Sequence, residues 1–96
     1  MTQEYILNFL KAHKEELSKK YGIEKIALFG SYARDEATDE SDIDIVILEA
    51  KNKTLSSRLN AKKMIEAKLN KKVDLGYYSS MKTFIKNRIQ RDFIYV

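Results

Sequence analysis

The sequence predicts an α/β (α+β) fold, a small mixed β-sheet flanked by helices, in a single domain over residues 1–96. Three observations predict it. The chain of 96 residues has no proline and no Gly/Ser-rich linker, so nothing divides it into two folding units. Short apolar runs rich in β-branched residues, "IEKIALF", "DIDIVIL" and "KKVDLGYY", read as strands. Longer stretches with apolar residues at helical spacing precede, separate and follow them, which is the alternation of an α/β sheet.

"TQEYILNFLKAHKEELSKKYG" places Ile6, Phe9, Leu10, His13 and Leu17 on one stripe, predicting one amphipathic helix capped by Thr2 and stopped by Gly22. A strand at residues 23–29 ends at Gly30-Ser31, and "SYARDEA" can wind a short helix before the polar "TDES". Residues 42–48 form the second strand, dominated by β-branched side chains. After the loop "EAKNKT", "LSSRLNAKKMIEAKLN" predicts a long helix facing Leu55, Leu59, Ile65 and Leu69 inward. Residues 71–78 are the third strand, "SSMKTFIKNRIQRD" a third long helix capped by Ser79 or Ser80, and "FIYV" a final strand.

A modest loop joins the first two strands, so they pair antiparallel. A full helix separates the second and third, the usual crossover between parallel neighbours. The third strand then starts at the sheet end where the first finishes and the second begins. Gly30-Ser31, Asp42, Asp44 and Asp74 thereby meet at one end of one sheet.

Composition narrows the class. A hydrophobic content of 44% is ordinary for a globular chain. The absence of cysteine excludes disulfides and thiolate metal sites and fits a cytoplasmic location. No apolar run approaches the ~20 residues of a membrane span, and the N-terminus lacks a signal-peptide pattern, so no membrane partner is expected. The net charge of +4 hides a polarity: residues 1–50 carry six Lys/Arg against eleven Asp/Glu, a net of −5, and residues 51–96 carry twelve against three, a net of +9. An acidic half suited to a cation and a basic half suited to an anion point to a phosphate-bearing ligand or nucleic acid. For most of these lysines a solvated helix face is explanation enough.

Six acidic residues fall within the ten positions from Asp35 to Asp44. Strand alternation puts Ile43, Ile45 and Ile47 on one face and Asp42 and Asp44 on the other, roughly 6–7 Å apart at Cα. Two such carboxylates repel unless something positive lies between them. Mg²⁺ suits the role, because it takes a few carboxylates and fills its remaining octahedral positions with water and phosphate oxygens. Asp74, between Val73 and Leu75, offers a third carboxylate to hold a second metal or accept a hydroxyl proton. Gly30 lets backbone approach a ligand, a helix beginning at Ser31 offers N–H groups to phosphate, and Arg34 adds a charge-assisted donor. Alone, a Gly-Ser is usually a turn and an Asp-x-Asp usually a surface pair. Gathered at one sheet end, they are the parts of nucleotidyl or phosphoryl transfer.

"GSYARDEATDESDID" resembles the signature of the DNA polymerase beta-like nucleotidyltransferase superfamily, a Gly-Ser followed ten residues later by Asp-x-Asp. Gly30, Ser31, Asp42 and Asp44 occupy the motif positions, Arg34 matches the frequent "GSxAR", Ser41 the usual "SDID", and Asp74 in "KVDL" the later acidic strand. One departure is Asp35, where many members carry glycine. At this length the chain resembles the minimal nucleotidyltransferase (MNT) domains often encoded beside a HEPN protein as a toxin–antitoxin pair. The resemblance implies a polymerase-beta-like palm and an antitoxin that transfers AMP from ATP to a tyrosine of the HEPN ribonuclease toxin, silencing it. Carried onto this sequence, it makes Asp42 and Asp44 ligands of Mg²⁺, and Asp74 a further ligand or the base. Gly30, Ser31 and Arg34 would hold the triphosphate.

Other residues receive plainer readings. His13, the one histidine, lies on an apolar stripe and reads as a packing residue. Tyr77 and Tyr78 can stack on a base, although core or interface packing is the default. Tyr32 receives no role. A competing function is a binding module that neutralises its partner by contact alone, against which three mutually repelling carboxylates argue. Direct nucleic-acid binding is not expected, because the strands are too apolar for an exposed RNA-binding sheet.

Overall fold

The computed structural model describes residues 1–96. In chain order the elements are α1 (Gln3–Ala12), α2 (Lys14–Tyr21), β1 (Ile23–Phe29), α3 (Gly30–Ala33), β2 (Ile43–Ala50), α4 (Leu55–Leu69), β3 (Val73–Tyr77), a 3-10 turn (Tyr78–Ser80), α5 (Thr83–Gln90) and β4 (Ile94–Tyr95). The four strands lie in the order β3-β2-β1-β4. β1 runs antiparallel to β2 and β4, and β2 runs parallel to β3. The expected mixed sheet and its crossover through α4 are therefore present. No helix is long and apolar enough to cross a membrane.

Strand alternation builds the core. Ile43, Ile45 and Ile47 of β2, with Val73 and Leu75 of β3, are buried in one cluster with Ile6, Leu10, Leu17, Ala61, Ile65 and Leu69 from the helices. Each such aliphatic side chain contributes roughly 1.5–3 kcal/mol by leaving water. The opposite sheet face carries the carboxylates and is partly covered by the C-terminal segment. There Ile89 of α5 is buried, and the Phe93 ring lies 6.3 Å from that of Phe29.

Three local expectations are corrected. The first helix is not continuous: His13 (φ −104°, ψ 8°) separates α1 from α2. Its backbone N–H is shared between the carbonyls of Phe9 and Leu10, a helix-end arrangement, while its ring packs on Phe9 with centroids 4.0 Å apart. Leu55 and Leu59 do not face inward; they are 63% and 37% exposed. Counting at 100° per residue, Arg58 shares the inward phase with Ala61, Ile65 and Leu69, and its guanidinium donates to the Leu75 carbonyl at 3.0 Å. Finally, Ser79 and Ser80 belong to the 3-10 turn and cap nothing; α5 starts at Thr83 behind the extended Met81 and Lys82.

Candidate active site

Packing dictates where the acids go. Ile43 pairs with Val73 and Ile45 with Leu75, and all four are buried beneath the helices. The residues between them, Asp44 and Asp74, are partners in the same register and must project together from the opposite face. Like charges directly across a ladder are destabilising, so this pairing opposes the fold that imposes it. On its other side Asp44 pairs with Phe29, the last residue of β1.

Gly30 follows at once, with φ +75°. A Cβ there would lie 3.0 Å from Cγ of Asp44 and would overlap its Oδ2. Glycine is thus required twice, by the left-handed backbone and by the carboxyl resting against it. The rest of the motif loop is anchored by residues far from it in sequence. Gln3 donates to the carbonyls of Tyr32 and Ala33 at 3.1 and 3.0 Å. Tyr32 is buried, and Lys71 donates to the Asp39 carbonyl at 2.9 Å. Ser41 closes the turn into β2: its Oγ accepts from the Thr38 N–H at 2.9 Å, and its own N–H donates back to the Thr38 carbonyl at 3.0 Å.

Phe29, Gly30, Arg34, Asp44, Asp74, Arg88, Ile89 and Asp92 line a cleft of about 470 Å³ on this face. Four of the six residues singled out in the sequence, Gly30, Arg34, Asp44 and Asp74, are brought together in it. Ser31, half-buried in α3, and Asp42, exposed just before β2, flank the cleft without lining it. Asp42 still acts through its charge. Burial first, then the charges of Asp74 and Asp42, push the Asp44 carboxyl up to about 6, with Arg34 opposing.

Arg34 is already engaged. Its Nη1 lies 2.7 Å from Asp92 and its Nε 3.6 Å from Glu36, and the hydrogen bond to Asp92 pushes the guanidinium above its ordinary value. Arg88 and Asp92 were not found by sequence reasoning. They stand one helical turn apart, and Asp92 is one of only three acids in the basic half, beside Glu66 and Asp74. Tyr77 is buried with its hydroxyl donating to the Thr54 carbonyl at 2.9 Å, and Tyr78 packs edge-on against Phe93, so both are structural. His13 is not among the lining residues.

No three His, Cys, Asp or Glu side chains come together as a ready-made metal cage. The donor set is nevertheless all carboxylate, and Asp44, half-buried between the charges of Asp74 and Asp42, resists ionisation. That chemistry fits a hard cation held by one or two carboxylates and completed by water and phosphate, which is how Mg²⁺ binds.

A mixed sheet presenting two register-matched carboxylates beside a glycine turn and a cleft with arginines defines a phosphate-handling transferase. The chain belongs to the nucleotidyltransferase domain family, whose model matches residues 10–96. It is 38% identical over 96 residues to the protein adenylyltransferase MntA of Thermococcus cleftensis, covering 100% of this chain and 97% of that one. A minimal nucleotidyltransferase structure superposes with a TM-score of 0.81 at 26% identity, over 98% of this chain and 95% of the other. The fold also recurs in the structure of a tri-AMPylated HEPN toxin of Shewanella oneidensis in complex with an MNT antitoxin. There the TM-score is 0.66 and the identity 22%, over 92% of this chain and 69% of that one.

Proposed function

We propose that the protein is an antitoxin that transfers AMP from ATP to a tyrosine of a cognate HEPN ribonuclease in the cytoplasm, with Mg²⁺ as its cation and residues 1–96 acting as one domain. The observation that carries this reading is the register pairing of Asp44 with Asp74 beside Gly30. The relationship to the MntA adenylyltransferase supports the chemistry, and the AMPylated toxin bound to an MNT antitoxin supports the kind of partner.

In this reading Asp44 and Asp74, helped by Asp42, hold the cation, while Gly30, Ser31 and Arg34 receive the triphosphate. When bound, the cation supplies charge neutralisation at the phosphates. The tyrosine oxygen attacks the α-phosphorus, the bond to the bridging oxygen breaks in line, and pyrophosphate leaves. In this reading Asp74, exposed where Asp44 is half-buried, accepts the hydroxyl proton. The sheet and α5 both line the cleft, and in this reading the acceptor protein closes its remaining side and positions its own hydroxyl.

The test uses the purified protein, Mg²⁺, the partner, and ATP labelled at the α- or the γ-phosphate. Label should reach the partner from the α position only and be lost in Asp42→Asn/Asp44→Asn. Transfer from the γ position would make the protein a kinase. A stable complex without transfer would favour neutralisation by contact alone.

A further inference from the structure

The charges of the cleft divide unevenly. Asp44 and Asp74 face each other on the sheet, and Arg34 is occupied by Asp92 and Glu36. Arg88 lines the same cleft from α5 and takes part in none of the molecule's six ion pairs. Its position is fixed by the next residue, because Ile89 is the one buried side chain of α5 and lines the cleft too. An unpaired guanidinium beside a pair of carboxylates gives the cleft one end for a cation and one for an anion.

We infer that Arg88 binds the β- and γ-phosphates of the nucleotide, the pair that leaves as pyrophosphate. The inference rests on the nucleotide-transfer reading above. The reacting α-phosphorus belongs beside Asp44 and Asp74, where the carboxylates are. Arg88 comes from the other wall and meets the far end of the triphosphate. Its planar fork matches two phosphate oxygens at once, and negative charge grows on those oxygens as the bond breaks. Arg34, fixed in place by Asp92 and Glu36, stands beside it at the triphosphate.

Calorimetric titration of Mg·ATP, pyrophosphate and AMP into the wild type, Arg88→Ala and Arg88→Lys tests this. In Arg88→Ala the affinities for ATP and pyrophosphate should fall about 10- to 100-fold, with AMP unchanged. Arg88→Lys should recover part of the loss, and the Tm should stay put, since the side chain is exposed. Unchanged ATP and pyrophosphate binding in Arg88→Ala, or an equal loss for AMP, overturns the inference while leaving nucleotide transfer standing. A wild type that binds no ATP overturns both.

Discussion

Gly30 and Asp44 constrain one another, and substitutions around them should shift stability in opposite directions. Gly30→Ala imposes a Cβ on a backbone at φ +75° and drives the Asp44 carboxyl from its place. It should cost about 1–2 kcal/mol for the left-handed backbone alone and abolish AMP transfer; denaturant midpoints and the labelling assay check both. Asp35, where many proteins with the motif it resembles carry glycine, also sits at a left-handed φ of 59°. Asp35→Gly should therefore stabilise by about 0.5–1 kcal/mol, and a lowered midpoint would show instead that the carboxylate makes a favourable contact. Asp44 adds a pH dependence. The unfolded chain releases its proton near the ordinary 3.8, whereas the folded protein holds it to about 6. Stability from the protonated carboxyl is complete below about 3.8, declines as pH rises to about 6, and is gone above that. At full weight the displacement would be worth about 3 kcal/mol, and solvent reaching part of the carboxyl reduces that to about 1. Asp44→Asn should accordingly gain in Tm over the wild type as pH rises through this window, with Mg²⁺ narrowing the gap at neutral pH. A gap constant with pH would contradict the assignment.

Among the elements, α4 separates what periodicity reveals from what it hides. Ile65 and Leu69 are buried as expected, but Leu55 and Leu59 are exposed because Arg58 takes the inward phase and reaches the Leu75 carbonyl. Ile65→Ala should cost 2–5 kcal/mol by leaving a cavity, roughly, while Leu55→Ser should stay within about 0.5 kcal/mol in thermal or urea unfolding. Equal costs would mean that α4 sits in another rotation. The break at His13 was equally invisible, since Leu10 and Leu17 are two turns apart and stay in phase with or without it. Strand pattern fared better. Ile43, Ile45, Val73 and Leu75 fix the register by burial, and Asp44 and Asp74 follow from it. What the sequence could not supply was α5's share of the cleft. Arg88 and Asp92 reach it through packing of Ile89 and Phe93, a long-range contact with no local signal beyond an isolated acid in a basic stretch.

At the scale of the whole molecule, the charge polarity has a structural counterpart. The acidic half gives the cleft Phe29, Gly30, Arg34 and Asp44, and the basic half gives it Asp74, Arg88, Ile89 and Asp92. Large apolar side chains are left in water within that basic half, Leu55 at 63% and Phe84 at 64% exposure. Lys53 and Arg58 flank Leu55 in sequence, and Lys82 and Lys86 flank Phe84, a pattern that suits a surface covered by another protein. The partner that completes the cleft should therefore dock on the basic half and carry acids against it. Raising salt from 50 to 500 mM should slow association about tenfold or more with a smaller change in dissociation, because steering is screened while the apolar contact is not. Leu55→Glu together with Phe84→Glu should weaken the complex yet leave ATP binding intact, since neither residue lines the nucleotide cleft. Hydrogen exchange on the complex decides the placement. Protection across α4 and α5 supports it, and protection confined to α1 and α2 would overturn it and move the acceptor to the acidic half.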